Sequence, residues 1–404
     1  MNGIPEWPAA LDVAGLLATG WHPVPLREFV LKVHSRCDLA CDYCYMYEMA
    51  DQSWRSQPRR MSRGVLEQSA TRIAEHARAH QLPSVKIILH GGEPLLAGPE
   101  FISYAVQTVR EAADPGTRVD VTVQTNGLRL DAGYLDLFAE LGIRVGVSLD
   151  GDTAAQDRHR RYPNGRGSHA MVTAALDRLV RHPRRDELFG GILCTIDVRN
   201  DPVATYEALL EFDPPLIDLL LPHGNWAAPP PGRVPGSAAT PYADWLIAVF
   251  DRWYGAARQE MTIRLFSELM HVILGGVSGT EAVGLAPVAI AVIETDGTIE
   301  QSDTLKSAYQ GAPLTGLHVS RDSFDTALAH PAVAARQLGI RALCDECLGC
   351  PVHRICGAGN YAHRYRPGRG FAGPSVYCAD LFKLIPHVTE VMEADIATLT
   401  PGSR

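Results

Sequence analysis

The sequence predicts an α/β fold, a partial (β/α)6 TIM barrel followed by a small cysteine-rich domain. Two observations predict it. Six apolar, β-branched runs alternate with segments of helical periodicity, and five of the nine cysteines crowd together near the C-terminus. Strands that alternate with helices indicate parallel pairing through right-handed crossovers. An open doubly wound sheet is the alternative that gives the same alternation.

The apolar runs predict the strands, and the amphipathic segments between them predict the helices. Ser62 stands directly before the clearest helical segment and suits an N-cap. The predicted strands cover residues 27–33, 85–90, 119–125, 144–149, 191–198 and 216–221. The predicted helices cover residues 61–80, 99–113, 132–141, 168–182, 202–212 and 241–257.

The pattern also divides the chain of 404 residues into segments. The regular alternation stops after Met261, and cysteine, glycine and proline become dense beyond Arg341. We therefore predict an N-terminal extension over 1–27, the barrel over 28–258, a bridging segment over 259–340 and a metal-pinned domain over 341–404.

Charge and composition exclude several partners. Lys and Arg number 37 against 46 Asp and Glu, a formal net charge of −9, so we expect no nucleic-acid partner. No apolar run reaches the ~18 residues of a membrane span, so we expect no membrane contact. The first 21 residues hold no Lys or Arg, unlike a secretory signal. We therefore predict a cytoplasmic protein, in which clustered thiols stay reduced and indicate metal or redox chemistry.

Candidate functional residues follow the ends of the predicted strands. The carboxyl ends of parallel strands meet at one edge, where reactive groups gather in both candidate architectures. A cysteine triplet follows the first strand, and Gly91-Gly92-Glu93-Pro94 follows the second. Polar residues follow the third and fourth, so we expect one shared site.

The triplet is Cys37-x3-Cys41-x2-Cys44, with no fourth cysteine nearby. A zinc ion or a ferredoxin cluster takes four ligands, whereas three thiolates on a four-iron cluster leave one iron open. With Tyr43 before the last cysteine, the triplet resembles the signature of the radical S-adenosylmethionine (SAM) superfamily. A zinc knuckle or unrelated cysteines are the alternatives.

The resemblance implies the cofactor chemistry. In that superfamily SAM binds the open iron of a 4Fe–4S cluster, and one electron from an external reductant cleaves it to a 5′-deoxyadenosyl radical. Gly91-Gly92-Glu93-Pro94 matches the family's GGEP motif, which implies a hold on the SAM amino group. The implied SAM contacts are Tyr43, Gly91, Gly92, Glu93, Gln124, Asn126, Ser148 and Arg160. A solvated basic loop is the alternative for the segment around Arg160.

The C-terminal cysteines resemble a second known unit. Cys347, Cys350, Cys356 and Cys378 match one four-ligand set of the SPASM domain, which carries auxiliary 4Fe–4S clusters. Ser302 and Asn360 stand where the second set has cysteines, so the resemblance implies one auxiliary cluster. Cys344 is a fifth thiol that could replace one ligand. A structural zinc on four of the five is the alternative.

A closer resemblance runs along nearly the whole chain. Residues 29–37, 51–55, 219–226 and 374–381 are similar to the FxsB-type radical SAM/SPASM maturases. That group joins an aromatic ring carbon to a Cβ atom, a cyclophane crosslink, in ribosomally made precursor peptides. The resemblance implies a precursor peptide as substrate. It also implies that Asp303 is the catalytic base, with a plain turn aspartate as the alternative.

Two other functions stay open at this point. Sulfatase-maturase-like oxidation and thioether formation use the same kinds of domain. A zinc-bound scaffold without turnover is an alternative from a different class.

Overall fold

The computed structural model describes residues 6–234 and 236–399. Residues 1–5 of the predicted N-terminal extension and residues 400–404 of the predicted metal-pinned domain lie outside the described residues. One mixed sheet holds the strands found there. They are β1 (Glu28–His34), β2 (Ser84–Gly91), β3 (Arg118–Thr125), β4 (Ile143–Ser148), β5 (Phe189–Thr195), β6 (Leu216–Leu220), β7 (Thr262–Ile263), β8 (Ile290–Ile293), β9 (Thr298–Glu300) and β10 (Leu314–His318).

The strand order identifies the architecture as the predicted partial barrel. β1 to β7 lie side by side in sequence order, and each pairs with the next in parallel. A doubly wound sheet would reverse its order at a switch point, and none occurs among these strands. Parallel strands in unbroken order, each with its right-handed crossover, place the helices on one side, as in a (β/α) barrel.

Helices connect the strands and cover the outer face. The α-helices are α1 (Val13–Ala18), α2 (Arg63–Ala79), α3 (Pro99–Ala112), α4 (Ala132–Leu141), α5 (Thr153–His159), α6 (His169–Arg181), α7 (Arg185–Leu188), α8 (Pro202–Leu210), α9 (Pro241–Tyr254), α10 (Arg264–Ile273), α11 (Phe324–Leu328), α12 (Pro331–Ala335), α13 (Asp345–Leu348), α14 (His353–Cys356) and α15 (Cys378–Leu399). Short 3-10 helices are Ser53–Arg55, Pro94–Ala97, Asp303–Ser307, Gly339–Ala342 and Tyr361–Arg364.

Local sequence explains where several helices begin. The Ser62 hydroxyl accepts the Val65 N–H at the start of α2, as predicted. Asp131 and Asp201 accept N–H groups in the first turns of α4 and α8. Each cap satisfies a backbone donor that has no partner within the helix.

The bridging segment contributes more to the sheet than the sequence indicated. β8 pairs in parallel with β1, and β9 and β10 extend that edge antiparallel. These strands have only three to five residues and no α-helices between them, which is why the search for alternating elements missed them. They bring Asp303, just after β9, close to β1 and β2.

The C-terminal helix holds the cysteine-rich segment on the barrel. α15 packs across α9 and α10 with Leu384, Ile385 and Val388 buried. The Asp380 carboxylate accepts the N–H groups of Tyr242 and Ala243 at the start of α9. Cys378, the first residue of α15, is thereby fixed relative to the barrel.

Among residues 6–234 and 236–399, no helix is both long enough and apolar enough to cross a membrane.

Candidate functional site

A cavity of about 1020 Å³ opens beyond the carboxyl ends of the barrel strands, and we call it the cofactor cavity. The structure brings together all the residues predicted for the first cluster and for SAM. They are Cys37, Cys41, Cys44, Tyr43, Gly91, Gly92, Glu93, Gln124, Asn126, Ser148 and Arg160. Tyr45, His90 and Thr195 also line the cavity, and the sequence reasoning did not assign them a role.

The thiols are not spaced as the ligands of a single zinc ion are. A zinc ion bonds each thiolate at about 2.3 Å, which puts tetrahedral sulfurs roughly 3.8 Å apart. In the described part of the chain, no three cysteine sulfurs lie within 4.8 Å of one another. Neither cysteine group therefore has the close spacing of the ligands of one tetrahedral ion in this structure.

The three thiols are protonated when no metal is bound. Burial raises the pKa of each, to about 11 for Cys41. Because metals bind the thiolate, loading this site would release protons.

The Gly91-Gly92 turn brings the backbone close to the cysteine loop. Gly91 has φ +155°, and a Cβ there would lie 2.1 Å from the His34 carbonyl oxygen. A Cβ on Gly92 would lie 2.6 Å from the Arg36 backbone. Only glycine fits both positions, and their bare backbone leaves room at the wall of the cavity.

Glu93 is bound to neighbouring groups of the protein. Its carboxylate already accepts three hydrogen bonds, from Leu95 N at 3.0 Å, Thr125 Oγ1 at 2.8 Å and Asn126 N at 2.8 Å. Burial raises its pKa to about 7, although these donors oppose the shift. Glu93 therefore ties the glycine turn to the end of β3, and at most part of its acceptor capacity is free for a ligand.

Arg160 is half-buried in the wall and has an unused donor. Its Nη1 donates to the Tyr43 hydroxyl at 2.9 Å, and that hydroxyl donates to Asp150. Its Nε is buried with no hydrogen-bond partner among the described residues. An unpaired buried donor is costly, so this atom fits an anionic ligand such as the SAM carboxylate. Arg160 is thus part of the site rather than of a solvated loop.

The remaining polar residues hold the strand ends. Gln124 Nε2 donates to Ser148 Oγ at 3.0 Å, which joins the ends of β3 and β4. Asn126 Nδ2 donates to Asp38 Oδ1 at 2.8 Å, with Cys37 Sγ 3.6 Å away. Asn126 therefore fixes the first cysteine of the loop.

Asp303 lies beside the cofactor cavity, next to His90. Its Oδ2 lies 2.7 Å from Lys32 Nζ and 3.7 Å from His90 Nδ1. Burial alone would raise the pKa of Asp303, but the positive charges of Lys32 and Lys306 outweigh it and lower the pKa. Its Oδ1 is buried with no hydrogen-bond partner among the described residues. Asp303 is an ionised carboxylate with one free oxygen.

Lys32 is the partner that sequence reasoning missed. It is fully buried in β1 and touches Met46 Sδ at 3.3 Å as well as Asp303. Its sequence signal was a single charged residue within an apolar strand. Such a residue is buried only when it is paired.

The C-terminal thiols meet around a separate cavity of about 360 Å³. Cys347, Cys350, Cys356 and Cys378, the four thiols assigned to one set, line it together. Cys344 does not line this cavity but is close enough to influence the pKa of Cys347. The arrangement fits four ligands around one core, with a fifth thiol beside it.

The positions that lack thiols have other roles. Ser302 Oγ lies 3.0 Å from Thr304 Oγ1, and Asn360 Oδ1 accepts the Ala362 N–H. His363 is buried, with its Nε2 3.3 Å from His223 Nδ1. Cys194 is fully buried in the core.

Comparison with known proteins identifies similar sequences. Residues 31–208 match the family model described as the Radical SAM superfamily. The chain is 24% identical over 397 residues to a serine-type anaerobic sulfatase-maturating enzyme of Bacteroides thetaiotaomicron, covering 91% of each protein. It is 33% identical over 162 residues to the Klebsiella aerogenes protein of the same name, of which the match spans only 38%.

Solved structures show the same fold. The chain matches native anSMEcpe with bound AdoMet at a TM-score of 0.77 and 20% identity, covering 92% of this chain and 100% of that one. It matches Streptococcus suis SuiB bound to precursor peptide SuiA at a TM-score of 0.53 and 15% identity, covering 89% and 77%.

Proposed function

Because the chain is a radical SAM enzyme whose cofactors are SAM and iron–sulfur clusters, we propose that it is an oxidative maturase of a peptide or protein. The reaction would begin at a side-chain Cβ–H bond in the cofactor cavity. The observation that carries this proposal is the buried Asp303–Lys32 pair next to His90, a residue of the cavity wall. It adds a proton acceptor to a cavity that already suits the cofactors.

We assign the cofactors to the residues described above. Cys37, Cys41 and Cys44 would hold the cluster with one open iron, and Arg160 Nε would meet the SAM carboxylate. When bound and reduced, the cluster and SAM together supply a 5′-deoxyadenosyl radical, which removes a hydrogen atom from the substrate.

The protein's own residues complete the oxidation. After the hydrogen atom has left Cβ, the substrate must lose one electron and one proton. Asp303 would take the proton on its free Oδ1, and Lys32 would keep it ionised until then. The electron would pass to the auxiliary cluster, for which we propose Cys347, Cys350, Cys356 and Cys378 as ligands. The low pKa of Asp303 makes it a weak base. It can still accept this proton, because the oxidised substrate is a strong acid.

The relatives favour one outcome for that intermediate. Both named relatives are sulfatase-maturating enzymes, and the Bacteroides thetaiotaomicron match extends over nearly the full length. We therefore propose side-chain oxidation of the sulfatase-maturase type, in which a serine CH2OH group becomes an aldehyde.

A second candidate is cyclophane formation in a precursor peptide. The segments similar to FxsB-type maturases favour it, as does the lack of cysteine at positions 302 and 360. In this case the Cβ radical adds to a nearby aromatic ring. Loss of one electron to the auxiliary cluster and one proton to Asp303 then restores aromaticity.

One assay separates the two products. The reconstituted enzyme, SAM and a one-electron reductant are incubated with a serine-containing sulfatase peptide, and separately with short peptides encoded beside the gene. Both products are lighter by two hydrogen atoms. An aldehyde reacts with a hydrazide, whereas a crosslink does not react and suppresses backbone fragments between the joined residues. Formation of 5′-deoxyadenosine with no change in any peptide would contradict both candidates.

The non-catalytic alternative is tested by colour and metal content. We expect a brown protein with about eight irons per chain when two four-iron clusters form. Colourless protein with stoichiometric zinc after anaerobic purification would favour a scaffold. The cytoplasm is the compartment that we propose, since the thiols must stay reduced to bind iron.

A further inference from the structure

A second cavity adjoins the cofactor cavity, and we call it the side cavity. It has a volume of about 820 Å³ and shares Leu220, Leu221 and His223 with the cofactor cavity. Its other walls come from β6, α10, α15 and the bridging segment. A group bound there would therefore be next to the site of reaction but separate from the residues proposed to bind SAM.

The side cavity lies where the sequence has lost a cluster ligand. Asn360, which replaces an expected thiol, lines it, and Thr280 and Glu281 of the bridging segment stand nearby. Asn360 therefore faces the side cavity at a position where the SPASM resemblance implies a thiol.

The walls suit an uncharged side chain. Asp218 pairs with Arg264 at 3.0 Å, and Glu281 pairs with Arg336 at 2.9 Å, so each carboxylate already has a cation. Between these pairs the surface is apolar, formed by Leu219, Leu220, Leu221, Leu265, Ala282 and Leu381. A charged guest would have to leave water for a surface without a free counter-charge.

The junction of the two cavities suits an aromatic ring. His223 and His363 stand there in contact, with ring centroids 5.4 Å apart, and Tyr45 meets His223 edge-on at 4.8 Å. Burial lowers the pKa of His223 to about 4 and lowers the pKa of His363 well below its ordinary value, so both rings are neutral. Neutral rings stack on or meet the edge of an aromatic guest.

We propose that the side cavity binds an aromatic side chain of the substrate, from a residue close in sequence to the one that reacts in the cofactor cavity. This inference rests on the proposed peptide or protein substrate and adds a specificity for it. It also supplies what the second candidate function requires, an aromatic ring held near the reacting Cβ atom.

The test uses p-cresol, the side chain of tyrosine with its Cβ, as the probe. Its binding to the reconstituted holoenzyme with SAM is measured by anaerobic equilibrium dialysis. Isoamyl alcohol and n-butylamine serve as aliphatic and cationic probes of similar size. We expect saturable binding of p-cresol at one site per chain, and weaker binding of the other two. Equal binding of isoamyl alcohol would overturn the aromatic assignment.

Variants locate the site. Ala282→Phe fills the side cavity and should weaken p-cresol binding at least about tenfold, while Ala282→Val should have a smaller effect. The matched control is Ala154→Phe, at an exposed position that lines neither cavity. SAM affinity and iron content should not change in any of them. Unchanged p-cresol affinity in Ala282→Phe would overturn the proposal. If Ala282→Phe loses iron, the p-cresol affinity of Ala282→Val decides: a decrease supports the proposal, and no change overturns it.

The outcome is independent of the maturase assay. If substitutions at residue 282 weaken p-cresol binding, the side cavity is supported even when no peptide is processed. Failure to process any peptide would overturn only the proposed function. Turnover of a peptide without any effect of residue 282 on p-cresol would overturn only the side cavity.

Discussion

Arg160 shows what a single residue contributes to the cofactor cavity. Its guanidinium is held from one side by Tyr43, while its Nε has no partner among the described residues. The sequence indicated the position through the family resemblance. It could not show that the other arginines of the same segment have different surroundings, because burial depends on the tertiary contacts of the loop.

The proposed contact predicts a loss of SAM affinity. Arg160→Gln removes a charge-assisted hydrogen bond worth about 1.5–3 kcal/mol, so the Kd for SAM should rise roughly 10- to 100-fold. Equilibrium dialysis of SAM against the reconstituted protein measures it. Arg166→Gln, an exposed position on the same segment, is the control and should leave the Kd unchanged. Equal effects of the two changes would contradict the contact.

The Asp303–Lys32 pair predicts separate effects on product and on stability. Asp303→Asn should reduce product formation by about 10²- to 10⁴-fold, because no base accepts the proton. Formation of 5′-deoxyadenosine should persist, since it precedes that step. The variant should also lose about 3–5 kcal/mol of stability, because Lys32 is left buried without a partner. Mass spectrometry, chromatography and chemical denaturation measure the three quantities.

A double variant separates catalysis from packing. Lys32→Met with Asp303→Asn removes both charges, and the methionine can still pack against Met46. We expect stability to recover while product formation stays low. Recovery of product in the double variant would show that Asp303 has only a structural role.

At the scale of elements, the sequence predicted the regular part of the fold well. The strands β1 to β6 were predicted within two or three residues, because each is an apolar run between helices of clear periodicity. β7 to β10 were missed because strands of two to five residues carry too little pattern. Their pairing depends on β1, which is distant in sequence.

Gly357 links the cysteine-rich segment to the bridging segment. It follows Cys356 and has φ +59°, and a Cβ there would lie 1.6 Å from the Gly284 carbonyl oxygen. The Gly284 N–H in turn donates to the Ile355 carbonyl. Cys356 is thus positioned by a close contact between two backbone segments.

This contact predicts that Gly357→Ala releases the auxiliary cluster. The new methyl group must push the segments apart and displace Cys356, so iron should fall from about eight to about four per chain. Gly368→Ala is the matched control, also at positive φ but with no atom within 4 Å, and should retain its iron. Metal analysis of anaerobically purified proteins gives the answer. Full iron content in Gly357→Ala would contradict the assigned role.

At the scale of the whole molecule, the sequence predicted which residues lie close together but not the cavities that they enclose. The cysteine spacing and the strand-end positions predicted which side chains line the cofactor cavity. The side cavity, by contrast, is formed by β6, α10, α15 and the bridging segment, whose packing no local pattern encodes. Lys32 was missed for the same reason, since its partner Asp303 is distant in sequence, and so was the contact between Lys306 and Asp51.

Lys306 joins two parts of the chain in the interior. Its Nζ lies 3.0 Å from Glu300, 3.1 Å from Glu294 and 3.7 Å from Asp51, and all four side chains are buried. Asp51 belongs to the loop after the first cysteine group, whereas the others belong to the bridging segment. One cation cannot neutralise three buried carboxylates, so one of them should keep its proton.

Glu300 is the carboxyl group that holds that proton. Burial raises its pKa to about 8, although the charge of Lys306 opposes the shift. Since the folded-state pKa lies above the ordinary value of 4.5, the stabilisation from the neutral form is complete below about pH 4.5. It is lost as the pH rises from there through about 8.

Glu300→Gln should therefore change how stability depends on pH. The amide stays neutral, so the variant should gain stability relative to the parent as the pH rises from 5 to 8, on the order of a few kcal/mol. Anaerobic denaturation of both proteins at each pH measures the difference. Glu111→Gln, an exposed change, is the control and should show a constant difference. A Glu300→Gln difference that does not vary with pH would place the buried proton elsewhere in the Lys306 group.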